Sequence, residues 1–167
     1  GDTSGALEAI NACLKGLPDY VKAYKYRAMI YEMQMNYDAA IEDYNIYLLD
    51  HNQDFTAYVG RGNAYAAKRV FDAAIENFNQ AIALQPQIAE LRFDRGFFYL
   101  EMKNYDAALV DFDKAVQCYE TSGNLGFFQA QVNLAYMYET GTGTEKNLEK
   151  AVFWYEKAAN QGINIQL

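Results

Sequence analysis

Catalysis needs a poised nucleophile, acid or base, and this chain offers few places for one. His51 is its single histidine, in a predicted turn with no nucleophile beside it and no partner at metal-ligand spacing, which is the setting of a solvated loop residue. The stretch GTGTEK from Gly141 has the small residues of a phosphate loop. It lacks the Gly-x-x-x-x-Gly-Lys-Ser/Thr spacing and follows no predicted strand, so it reads as a loop between helices. Glu42 and Asp43, like Asp111 and Asp113, are adjacent or next-but-one on predicted helices and cannot face each other across a cleft as an acid–base pair. The expectation is a chain that is not an enzyme and carries neither metal nor cofactor.

One polar set recurs. Arg27, Arg61 and Arg95 lie 34 residues apart, accompanied at the same period by Asp43, Asn77 and Asp111. Such a stripe could bind anions, or each guanidinium could pair with a carboxylate or a tyrosine ring within or between units. An element present in every unit serves the stacking that every unit shares. The expectation is therefore a structural ladder of Arg27, Arg61, Arg95, Asp43 and Asp111.

The elements that carry these residues repeat with them. RAMIYEMQMNYDAAI from Arg27, RGNAYAAKRVFDAAI from Arg61 and RGFFYLEMKNYDAAL from Arg95 each show apolar residues at helical spacing in two segments. Two helices per unit follow. The pairs Tyr37-Asp38, Phe71-Asp72 and Tyr105-Asp106 place a carboxylate at the opening turn of each second helix, where free amides and the helix dipole favour it. Gly62 and Gly96 in first helices, and Ala40, Ala74 and Ala108 in second ones, mark where paired helices approach closely. Pro18 and Pro86, two periods apart, punctuate turns between units. GDTSGALEAINACLKGLPD aligns as the second helix of an earlier unit whose first helix is missing. After Tyr119 the phase shifts by about five residues near TSGNL, which should re-aim the last helical pair, Ala130 to Gly162, against the stack.

Gly62, Tyr65, Phe71, Ala74, Phe78, Ala81 and Pro86 together resemble the tetratricopeptide repeat, and LAYMYETGTGTEKN with KAVFWYEKAANQG is similar to the Sel1-like repeat. The resemblance covers nearly the whole chain. It implies an all-α fold, a right-handed α–α superhelix, or solenoid, of antiparallel helix pairs. Residues 1–20 would be the second helix of a truncated repeat, 21–54, 55–88 and 89–122 three tetratricopeptide repeats, and 126–162 the Sel1-like repeat, all in one continuous solenoid. Tyr47 stands where a small residue is usual, and Asn52 and Glu120 where a turn proline is usual, departures expected to loosen packing locally.

The resemblance also implies a concave groove lined by first helices and binding a peptide or helix. It maps that groove onto Lys25, Met29, Met33, Asn63, Phe93, Asp94, Phe97, Glu101 and Tyr136. The middle unit contributes only small side chains, so a shallow apolar depression is expected over Gly60 and Asn63, with flexible methionines beside it. Lysines at the early end and acids later would orient a ligand carrying an apolar anchor and a positive charge. Members of the family that clamp a C-terminal carboxylate use Lys, Asn and Arg; here Met29, Gly60, Glu90 and Asp94 stand in those places, and the acidic residues would repel one.

Composition narrows the partners further. A net charge of −8 with pI near 4.6 argues against nucleic acid or an anionic membrane surface. No apolar run approaches the roughly 18–20 residues that span a bilayer. Cys13 and Cys118 are about three repeats apart, too far for a disulfide where repeats touch only neighbours. Free thiols slightly favour the cytoplasm, while a periplasmic site stays open if a signal peptide has been removed; the mixture of repeat types hints at a bacterial source. Neither terminus shows a polar cap, which suggests a piece of a longer repeat protein or a homodimer through the chain ends. The function expected is a protein–protein interaction scaffold, with a self-associating assembly module as the alternative.

Overall fold

A computed structural model describes residues 3–163, and every regular element among them is an α-helix. The fold is an all-α solenoid type built from antiparallel helix pairs. Two compact units divide at Pro86 and Gln87. The first holds α1 (Thr3–Gly16), α2 (Val21–Met33), α3 (Tyr37–Asp50), α4 (Phe55–Ala67) and α5 (Phe71–Leu84); the second holds α6 (Ala89–Glu101), α7 (Tyr105–Asn124), α8 (Phe128–Thr140) and α9 (Leu148–Ile163). Within them α2 pairs with α3, α4 with α5, α6 with α7 and α8 with α9.

The link between paired helices is a backbone device that repeats with the sequence. Met35, Arg69 and Lys103, again 34 residues apart, take positive φ of 58°, 61° and 59°. Each closes a Schellman turn: the amide of Asn36 donates to Tyr31 O at 2.8 Å and that of Met35 to Glu32 O at 2.9 Å, with Val70/Tyr65 and Asn104/Tyr99 repeating the outer bond. The residue after the left-handed one is already the N-cap of the next helix. Asn36 accepts from the amide of Ala39, and Asn104 from that of Ala107. Asp38, Asp72 and Asp106 occupy the first turns, as the sequence suggests, but the side-chain caps are the asparagines.

Close approach explains the small residues. A Cβ on Gly62 would lie 2.8 Å from the Phe78 ring, and one on Gly96 2.7 Å from Phe112. Ala40, Ala74 and Ala108 are buried at the same interfaces. In the first unit Ala28, Tyr44, Tyr47, Leu48 and Ala57 form a core. In the second Phe112, Tyr119, Leu134, Met137 and Trp154 do so.

The extra residues near TSGNL lengthen α7 to 20 residues, against 14 for α3 and α5. The added turn is secured by Gln131, fully buried, whose Nε2 donates to Gly123 O at 2.9 Å. Tyr47 does not loosen its surroundings: it is buried, and its hydroxyl donates to Asp54 Oδ2 at 2.8 Å. His51 lies in the turn after α3, as expected, but its ring is not freely solvated: it is half-buried at the C-cap, stacked 4.4 Å from the Tyr47 ring with Nδ1 buried.

The arginine ladder joins helices in two directions. Arg27 on α2 donates twice to buried Asp43 on α3, Nε and Nη2 each at 2.7 Å, and through Nη1 to Asn11 on α1 at 2.9 Å. Arg61 on α4 donates to Asn77 on α5 at 2.8 Å and to Asn45 on α3 at 2.7 Å. In the second unit Arg95 makes the double contact with Asp111. Tyrosine rings flank the guanidiniums: Tyr24 at 5.3 Å from Arg27, Tyr58 at 5.5 Å from Arg61 and Tyr99 at 5.8 Å from Arg95. The hydrogen bond to Asp43 raises the guanidinium pKa of Arg27, whereas burial beside a neutral amide lowers that of Arg61.

The two bridges should therefore fail unequally. Arg27→Ala strands a buried carboxylate and is expected to cost about 3 kcal/mol. Arg61→Ala leaves only an amide and is expected to cost about 1–2 kcal/mol. Urea unfolding of both variants checks the order; equal losses would show that the charge on Asp43 is immaterial.

Candidate functional site: the concave faces of the first helices

In the first unit a concavity of about 470 Å³ opens between α2 and α4. Its floor exists because Gly60 has no side chain: a Cβ there would lie 2.3 Å from the hydroxyl of Tyr44, which passes beneath. That hydroxyl donates to Glu32 Oε2 at 2.5 Å. Burial raises the Glu32 carboxyl above the usual range, opposed by the Tyr44 hydrogen bond. Tyr44 is itself pushed strongly upward by burial and by Glu32.

The rim is held by a hub at Asp54. Lys25 Nζ donates to Asp54 Oδ2 at 2.6 Å and to Thr56 Oγ1 at 2.7 Å. Oδ1 of Asp54 accepts from the Thr56 amide at 3.0 Å and so caps α4. Burial acts to raise the Asp54 carboxyl, but the donors Lys25, Thr56 and Tyr47 together outweigh it and hold it well below the usual carboxylate range. Lys25 is thus present at the concavity with its charge already matched.

Of the residues expected to line a groove, Lys25, Met29 and Asn63 line this concavity, together with Val59. Met33 is exposed on α2 without lining it. Phe93 lies in the second unit, half-buried, edge-on to Phe97 at 5.0 Å, Phe112 at 5.7 Å and Tyr119 at 6.3 Å. Phe97 is the more open of the two, and Glu101 and Tyr136 are exposed. Tyr26 and Asp54 were not anticipated from sequence. Asp54 had a signal, an Asp two residues ahead of a Thr at a helix start, which is a capping pattern; Tyr26 had none beyond its place on α2.

Asp94 sits on α6 one turn after Glu90, half-buried. Asn133 on α8 donates to Glu90 at 3.4 Å and to the Tyr119 hydroxyl at 3.0 Å. Burial, and next the charge of Glu90, push the Asp94 carboxyl up to about 6. Among the described residues no group of three or more His, Cys, Asp or Glu side chains could hold a metal ion, and no helix is long and apolar enough to cross a membrane. Cys13 and Cys118 are free thiols.

The position of Asp94 sets a sign for pH dependence. Its carboxyl titrates at 3.8 ordinarily and about 6 in the fold, so between those values the folded chain binds more protons than the unfolded one. Stability from this group falls as pH rises through that window and stays low above it. Asp94→Asn is therefore expected to raise the urea midpoint at pH 7.5 and to leave it nearly unchanged at pH 3.5. A gain of equal size at both would assign the effect to something other than this ionisation.

Family models agree with the repeats seen in the helices. The tetratricopeptide repeat matches residues 1–58 and 89–122, the TPR repeat 62–103, and the Sel1 repeat 128–163. A putative sel1-like repeat-containing protein of Acanthamoeba polyphaga mimivirus is 51% identical over 35 residues, which are 21% of this chain and 7% of that protein. The chain thus aligns with only a small part of its curated relative's length. A crystal structure of MamA superposes with a TM-score of 0.68 at 24% identity, over 99% of this chain and 92% of that one. A second MamA structure gives 0.67 at 25% over 96% and 82%. MamA from Desulfovibrio magneticus gives 0.70 at 21% over 72% and 68%. The likeness to MamA is one of fold. By its repeats, the chain belongs to the tetratricopeptide-repeat proteins and carries a Sel1 repeat over residues 128–163.

Proposed function

We propose that this protein-interaction scaffold works without catalysis by docking an extended segment or helix of a partner protein on the concave faces of its first helices. The observation that carries this reading is the concavity between α2 and α4. Its polar groups are held before any partner arrives: half-buried Lys25 is tied to Asp54 and buried Tyr44 to Glu32, while Gly60 leaves the floor open. A surface ordered before the partner arrives loses little side-chain freedom on binding. In the second unit Asp94, Phe97, Glu101 and Tyr136 offer a comparable mixture of acid and aromatic groups, whereas Phe93 contributes mainly to packing. A photo-crosslinking residue tests the reading. Placed at Met29 or Phe97 it should trap the partner in native extract; placed at Leu49, 80% exposed on α3, it should not. Trapping at Leu49 alone would overturn the concave assignment.

A second reading, self-association, has its own observation. The exposed side chains of Leu148, Val152 and Phe153 give α9 an apolar surface, bordered by Lys157, whose Nζ lies 5.4 Å from the Phe153 ring. If that surface joins copies, the mass from sedimentation equilibrium should rise with concentration, and Val152→Lys with Phe153→Lys should restore the monomer mass. A constant monomer mass removes this reading.

A further inference from the structure

The concavity of the first unit has an unbalanced charge. Of the residues that line it, Lys25 and Glu32 are the charged ones. Lys25 is matched by Asp54 at 2.6 Å, so the surplus is the negative charge of Glu32. Tyr44 satisfies Oε2 of that carboxylate with a neutral hydroxyl. A half-buried carboxylate without a counter-ion costs folding free energy, and its position at a solvent-open concavity lets a ligand supply the missing cation.

The remaining walls say which cation. Tyr26 and Met29 are exposed along α2, and Val59 with Asn63 face them from α4. Methylene groups would lie along Met29 and Val59, a planar cation could stack on Tyr26, and the amide oxygen of Asn63 offers an acceptor beside the carboxylate. We propose that this concavity recognises an arginine side chain of the docked segment, with Glu32 as its counter-charge and Asn63 as a second acceptor. The proposal rests on the docking reading above and assigns its specificity. Guanidinium suits the place better than ammonium because it is more weakly hydrated, flat, and able to bridge two acceptors. A carboxylate-bearing ligand is disfavoured by Glu32 itself.

Immobilised heptapeptide pools, random except for a fixed central residue, supply the test. The centres are arginine, lysine, citrulline and glutamate; citrulline keeps the shape of arginine without its charge. Three proteins are compared: the parent, Glu32→Gln, which keeps an acceptor for the Tyr44 hydroxyl, and Asn63→Trp, which fills the concavity from an exposed position. Thermal melts establish that all three fold. The parent should retain the arginine pool roughly tenfold above citrulline and above lysine. Glu32→Gln should erase that preference, and Asn63→Trp should release every pool. Equal retention of arginine and citrulline, or of arginine and lysine, overturns arginine recognition, as does a preference that survives Glu32→Gln. In those cases docking itself stands as long as Asn63→Trp releases the peptides. If the parent retains no pool, or Asn63→Trp retains them all, the docking reading of this concavity fails as well.

Discussion

A guanidinium held between three helices is the joint on which the first unit depends. Alanine and glycine let helices approach closely, but a smooth interface of small residues fixes neither rotation nor register. Arg27 does, because its fork meets both oxygens of Asp43 within the hairpin while its third donor reaches Asn11 on the helix before. Arg61 repeats the construction with Asn77 and Asn45. The amide in place of a carboxylate in the middle repeat removes the charge and one of the two bonds within the hairpin but keeps the contact: Asn77 Oδ1 accepts from Arg61 Nε at 2.8 Å while Nδ2 turns to Ala73 O at 2.7 Å. The joint is thus a matter of shape first and of Coulomb energy second.

The turns impose the complementary constraint. A left-handed residue with a side chain costs about 1 kcal/mol or more relative to glycine, yet Met35, Arg69 and Lys103 all accept it. The reason is that one residue in that conformation satisfies two carbonyls at the end of the first helix and delivers the next residue as N-cap of the second. Any longer link would lose one of these roles. The Sel1 hairpin shows the alternative: Gly141 is left-handed at φ 78°, and the chain then runs on to Asn147, whose amide donates to Tyr138 O at 2.8 Å. That loop is packed, with Gly143 so close to Phe112 that a Cβ would fall 2.1 Å from the phenylalanine Cβ.

Period and helix type were legible in the sequence because every repeat must present the same apolar spacing to its neighbours. The arginines with Asp43 and Asp111 were legible for the same reason. What the period could not show is what occurs once. Asp54 gathers Lys25, Thr56 and Tyr47 at a single junction between repeats, so no recurrence announces it, and without it Lys25 looks like a free cation. The role of Tyr44 was hidden differently. Its slot in the repeat says core, and most of the side chain is core; only the glycine at position 60, sixteen residues away, lets its hydroxyl surface at Glu32. The five extra residues before Phe128 were visible, but whether they extend a helix or form a loop depends on Gln131, whose amide secures Gly123 O from the following helix.

Under the docking reading proposed above, recognition at the concavity would arise from stacking without a separate scaffold. Tyr44 must be large to fill the space between α2 and α4, Gly60 must then be bare, and bareness over a large side chain makes a depression whose depth packing has already fixed. The polar groups there are held by the same contacts that hold the helices, so ordering the surface adds nothing to the entropy lost on folding. Glu32 is the exception. Its burial raises its carboxyl and works against the fold, and neither Lys25 nor any other cation lining the concavity relieves it. Glu32 ties α2 to Tyr44 on α3 yet keeps an unmatched charge, and under the arginine proposal a cation brought by a partner would turn the same burial from a cost of folding into a source of affinity.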